Sequence, residues 1–73
     1  MNETTRGFPV KPAEIRRKLG LSQAAFADYL GVSVRTIQEW EQGRHQPSGP
    51  ALALLRIADQ EPEVFLRAKN GTG

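Results

Sequence analysis

Leu21-Ser22-Gln23-Ala24-Ala25-Phe26-Ala27-Asp28-Tyr29-Leu30-Gly31-Val32-Ser33 is the stretch that decides the fold of this chain. With Gly20 before it, the unit Gly-Leu-Ser at residues 20–22 returns as Gly-Val-Ser at residues 31–33. Glycine is favoured just past a helix end, where the backbone often needs a positive φ. A serine two residues later can accept from an orphaned backbone N–H in the first turn of the next helix. The apolar residue between them, Leu21 or Val32, takes the place of a hydrophobic staple. Each unit therefore reads as helix stop, staple and helix start. Gly43 supplies one more stop.

Apolar spacing agrees on both sides. Ile15 and Leu19 share a face of a first helix at about Pro12–Leu19, and Phe26 and Leu30 one of a second at about Gln23–Leu30. Ile37 and Trp40 do the same for a third, about Val34–Gln42. After the polar loop Arg44-His45-Gln46-Pro47-Ser48, residues Ala51, Leu54, Leu55 and Ala58 form the core stripe of a fourth, about Gly49–Gln60. Pro62 suits the first position of a short fifth helix carrying Val64, Phe65 and Leu66. No stretch alternates with period two long enough to predict a strand. The expected fold class is all-α, a compact bundle of four to five short helices. Residues 1–11, with Gly7 and Pro9, read as a flexible N-terminal arm, residues 12–69 as the domain, and residues 70–73 as a disordered tail.

Length and composition bound what such a bundle can be. The chain has 73 residues, enough for one small domain with a thin stability margin. It has no cysteine, which removes disulfides and thiolate metal sites. A second copy is then the expected support, as a homodimer. No run approaches the roughly 20 apolar residues of a membrane span, and the start Met1-Asn2-Glu3-Thr4-Thr5-Arg6 lacks the apolar stretch of a secretory signal. A cytoplasmic protein without membrane contact is expected. Net charge is only +2, unevenly spread: +3 over residues 1–20, −2 over residues 21–42 and +1 over residues 43–73.

Helices two and three are joined by Leu30-Gly31-Val32-Ser33 alone. So short a connection with glycine at the bend holds them at a steep angle, as in a helix-turn-helix, whose second helix enters the DNA major groove. Ala25 is expected to be the small side chain that lets the two cross closely.

The stretch Leu21–Ser33, with Thr36-Ile37-Gln38-Glu39-Trp40-Glu41-Gln42-Gly43, resembles the XRE/Cro family of phage-repressor-like domains. The likeness continues through Arg44 and Pro47-Ser48-Gly49-Pro50 and covers about residues 12–60. The segment Gln42–Ala51 is most similar to antitoxin repressors of toxin–antitoxin operons, the HigA-like group. The resemblance implies a lambda-repressor-like helix-turn-helix fold. It also implies a sequence-specific transcriptional regulator, expected to be a repressor that binds a palindromic double-stranded DNA operator as a homodimer. The alternative is an antitoxin that neutralises a partner toxin protein and regulates its own operon.

Helix geometry and the resemblance together point to roles. With Ile37 and Trp40 inward, Arg35, Gln38, Glu39 and Gln42 face outward and Val34 stands at the leading edge. Val34, Arg35, Gln38 and Glu39 are the candidate base contacts: a thymine methyl, guanine O6/N7, adenine N6/N7 and cytosine N4 in that order. Gln23, Ser33, Thr36 and Arg44 are the candidate phosphate contacts. Arg16 and Glu41 would form a structural salt bridge between the first helix and the recognition helix. Trp40 and Tyr29 read as core and core-edge residues rather than a base-stacking platform.

Val64-Phe65-Leu66, with the end of helix four, either makes the dimer contact or closes the core of its own chain. His45 is a lone loop histidine with no acidic or histidine cluster expected nearby, so it reads as neither metal ligand nor catalytic base. With no nucleophile–base pair, phosphate loop or ligand cluster, no enzyme, cofactor or metal site is expected.

Overall fold

The computed structural model describes residues 10–71, with side chains to Ala68. Expectations placed on residues 1–9 and 72–73 lie outside the described residues. Five helices follow one another: α1 Pro12–Leu19, α2 Gln23–Leu30, α3 Val34–Glu41, α4 Gly49–Gln60 and α5 Pro62–Gly71. There is no strand among the described residues. The all-α expectation holds.

The repeated glycine–apolar–serine units work as local chemistry says they should. Ser22 Oγ accepts from the Ala25 N–H and Ser33 Oγ from the Thr36 N–H, each at 3.0 Å. Such a cap contributes about 1 kcal/mol. Gly31 closes α2 at φ 72°, the left-handed region. Its N–H donates to the Asp28 carbonyl and the next N–H, of Val32, to the Ala27 carbonyl. That double bond pair satisfies two carbonyls which would otherwise be orphaned. Gly43 closes α3 the same way, with the Arg44 N–H reaching back to the Glu39 carbonyl at 2.9 Å. Leu21 and Val32 pack against the core, which Phe26 and Ile37 enter as fully buried side chains.

That core is Ile15, Phe26, Ala27, Leu30, Ile37, Trp40, Leu55, Ala58 and Phe65. It draws on all five helices, with α2 against α3, α1 against α3 and α4, and α5 against α4. Ala25, the small residue expected at the crossing, is half-buried, whereas Ala27 is buried. Phe26, Ala27 and Leu30 set the inward face of α2, and Ala25 lies about 150° from the centre of that face around the helix.

The two uses open to the fifth segment divide between its residues. Phe65 closes the chain's own core, 4% exposed, edge-on to Phe26 with centroids 6.4 Å apart and stacked on Tyr29 at 5.2 Å. Leu66 packs beside it, while Val64 is 49% exposed. At its far end α5 continues past Lys69 through Asn70 and Gly71, two residues expected in the tail. Packing of Phe65 supplies the support, and helix propagation costs little once a turn exists. At the other end Val10, expected in the arm, packs against the core, and the Lys11 carbonyl opens α1 by accepting from Glu14 and Ile15 N–H.

Candidate nucleic-acid interface

α3 has two unlike faces because its sequence alternates them at helical spacing. Ile37 and Trp40 are buried. Val34, Arg35, Gln38 and Gln42 are exposed, and the Arg35 side chain is 86% so. Gln38 and Gln42 have no side-chain hydrogen-bond partner among the described residues. The outward face is thus a short row of donors and acceptors, of which Gln38 and Gln42 are unengaged, led by an apolar tip, the chemistry that suits base edges.

Glu39 sits differently from its neighbours. Its side chain is only 27% exposed, and each carboxylate oxygen has a cationic or ring partner. Oε1 lies 3.0 Å from His45 Nδ1, and Oε2 lies 3.4 Å from Arg35 Nε. Hydrogen bonding from His45, and then from Arg35, holds the Glu39 carboxyl below its ordinary range. The lone-histidine reading is corrected here, since an acidic partner six residues away comes into contact. The Gly43 cap folds the chain back over the end of α3, which sequence separation alone does not reveal. Among the described residues no three metal-ligating side chains come together.

The four phosphate candidates differ in how far the fold already engages them. Arg44 and Ser33 are exposed, and the Arg44 side chain has no ion-pair partner among the described residues. Ser33 and Thr36 are engaged in the α3 cap, their hydroxyl oxygens 3.0 Å apart. Gln23, the first residue of α2, donates from Nε2 to Glu41 Oε1 at 3.1 Å. Its side chain is therefore tied into the scaffold at the N-terminus of α2.

Arg16 and Glu41 meet side by side. Arg16 Nε donates to Glu41 Oε2 at 2.6 Å and Nη2 to Oε1 at 3.2 Å, while Nη1 donates to the Leu21 carbonyl at 3.0 Å. Side-chain exposure is 18% for Arg16 and 11% for Glu41. One carboxylate therefore joins α1, the start of α2 and the end of α3. Hydrogen bonding from Arg16 lowers the Glu41 pKa, against the opposing effect of burial and with a further contribution from Gln23. The same bond raises the Arg16 pKa. Glu41 is thus spent within the fold, and the face that α3 presents outward is less acidic than the regional charge of −2 suggests.

The helix-turn-helix family profile matches residues 13–61, which hold α1 to α4 and the whole of this arrangement. The chain belongs to the helix-turn-helix family. Among its curated relatives, Antitoxin HigA-2 of Vibrio cholerae serotype O1 is 40% identical over 57 residues, covering 78% of this chain and 55% of that protein. The HTH-type transcriptional regulator YiaG of Escherichia coli, whose name marks it as uncharacterized, is 41% identical over 51 residues, covering 70% of this chain and 53% of that protein. Antitoxin MqsA of Escherichia coli is 33% identical over 52 residues, 71% of this chain and 40% of its own. The chain spans about half the length of the first two of these relatives. No solved structure matches it at a significant level. No helix among the described residues is long and apolar enough to cross a membrane.

Proposed function

We propose that this helix-turn-helix chain is a sequence-specific DNA-binding transcriptional regulator, a repressor that occupies a palindromic operator in the cytoplasm. The observation that carries the reading is the outward face of α3. Val34, Arg35 and Gln38 stand exposed on a helix whose other face is locked into the core. A rigid helix with unspent hydrogen-bonding groups is what base readout requires. Arg35 would take guanine O6 and N7, Gln38 adenine, Val34 a thymine methyl and Glu39 a cytosine N4 amine. Arg44, the hydroxyls of Ser33 and Thr36, and the α2 N-terminus at Gln23 would hold phosphates.

Charge argues for two copies. With a net +2 and one basic residue within residues 21–42, a single chain neutralises few phosphates. A homodimer doubles that number and places two α3 helices in successive major grooves about 34 Å apart. Ile57 near the end of α4 and Val64 on α5, 39% and 49% exposed, are the apolar side chains that would be offered to the second copy.

Selection of bound sites from a random DNA pool tests the reading. An inverted repeat with half-sites one helical turn apart is expected, and a chain that retains no DNA even at low salt refutes it. Sedimentation of the complex checks the dimer, and one chain per operator would remove it.

The printed names of two relatives favour a second reading. If this chain is an antitoxin like them, it also binds a toxin protein. Co-purification of one stoichiometric partner from the native cell, encoded beside it, is the expected result.

A further inference from the structure

The Arg35–Glu39–His45 cluster extends the recognition face beyond α3 itself. Its three side chains rise from sheltered to open: Glu39 is 27% exposed, His45 69% and Arg35 86%. The carboxylate lies at the centre, with a different oxygen toward each neighbour. An ionised carboxylate only accepts, so the hydrogen in the His45 contact sits on Nδ1. Arg35 is approached at Nε alone. Its two terminal nitrogens, the pair that spans guanine O6 and N7, stay free. His45 is itself held in place by backbone: the Gly43 N–H donates to Trp40 and the Arg44 N–H to Glu39, which turns the loop back over the last turn of α3.

We propose that His45 is a positioning and specificity-determining residue of the DNA-reading face, holding Glu39 so that Glu39 aims Arg35 at one guanine of the operator. The proposal rests on the reading that α3 contacts base edges. Arg35 alone is a long, exposed side chain with many rotamers, and a carboxylate held 3.4 Å from its Nε biases them before DNA arrives. Without His45, Glu39 keeps only its longer contact, to Arg35 at 3.4 Å. It would then swing, and Arg35 with it. A histidine in a loop thereby contributes to base choice without touching a base.

The test measures binding of the selected operator and its single-base variants by the parent, Arg35→Ala, His45→Ala, His45→Asn and the double variant Arg35→Ala/His45→Ala, each across a salt series. A well-oriented bidentate guanine contact discriminates by about 5- to 150-fold. His45→Ala should forfeit about tenfold of that discrimination, at the same base position that Arg35→Ala affects, with the salt slope unchanged. His45→Asn, whose amide N–H can stand where Nδ1–H does, should restore most of it. In the Arg35→Ala background, loss of His45 should cost nothing more. If His45→Ala instead weakens every site alike and lowers the salt slope by about one, the residue is a phosphate contact and the proposal is overturned. Additive losses in the double variant overturn it as well. In both cases the base-reading role of α3 stands, because Arg35→Ala still changes one position. An Arg35→Ala protein that selects the parent motif overturns that role and this proposal together.

Discussion

Replacing Glu41 by alanine removes the acceptor of three hydrogen bonds at once: two from Arg16, at 2.6 and 3.2 Å, and one from Gln23 at 3.1 Å. The Arg16 guanidinium, 18% exposed, is left with the Leu21 carbonyl alone. Breaking a fully buried pair costs about 3–5 kcal/mol, and an exposed one about 0–1 kcal/mol. At 11% and 18% side-chain exposure this pair lies nearer the buried limit. A loss of about 2–4 kcal/mol is expected, against a total of about 4–11 kcal/mol for a domain of this length. With a urea slope of about 1 kcal/mol/M, the midpoint should fall by about 2 M or more. Arg16→Met with Glu41→Leu should recover much of the loss, because an apolar pair leaves no charge stranded.

The sign of the pH effect follows from the lowered Glu41 pKa. The folded state favours the carboxylate relative to the unfolded chain, which keeps the ordinary glutamate value. The stabilisation is therefore complete above that value and is lost as pH falls through the lower folded value. Urea midpoints taken from neutral pH down to acid should decline in the parent and decline less in Glu41→Ala. A Glu41→Ala midpoint within about 0.5 M of the parent would refute the argument that this carboxylate holds the recognition helix to its scaffold.

Other consequences are equally direct. Phe65→Ala removes the α5 anchor and should cost about 3–5 kcal/mol, enough to leave much of the chain unfolded by far-ultraviolet circular dichroism; an unchanged melt would return α5 to a purely intermolecular role. Gly31→Ala places a Cβ in open space but at φ 72°, so the whole cost is backbone. A loss of about 1–2 kcal/mol in a urea melt is expected, with no loss counting against the left-handed cap. Arg44→Ala should weaken all operators alike and reduce the salt slope by about one, and loss of selectivity at a single base would instead make it a base reader.

How far the sequence anticipated the structure depends on the range of the interaction. Caps at Ser22 and Ser33 were readable because donor, acceptor and intervening backbone lie within four residues. The core stripe of α4 was readable because periodicity alone decides which side faces inward. Arg16 and Glu41 are 25 residues apart, and only the family resemblance links them. Phe65 was ambiguous for a physical reason: an apolar residue on a helix suits its own core or a partner's equally well. The Glu39–His45 contact was missed because it depends on a turn, not a period. Gly43 reverses the chain there, and counting residues along a helix stops being informative at its cap.

The division of α3 into a buried stripe and an exposed row separates two kinds of heritable change. Ile37 and Trp40 answer to the fold. The side chains of Val34 and Gln38 make no hydrogen bond to the scaffold, and that of Arg35 has only its surface pair with Glu39. Substitutions at those three positions can accumulate almost free of folding penalty, so, if α3 reads bases as proposed, a lineage can exchange one target for another without first losing the fold. A library randomised at residues 34, 35 and 38 should consist mainly of folded members with diverging preferences.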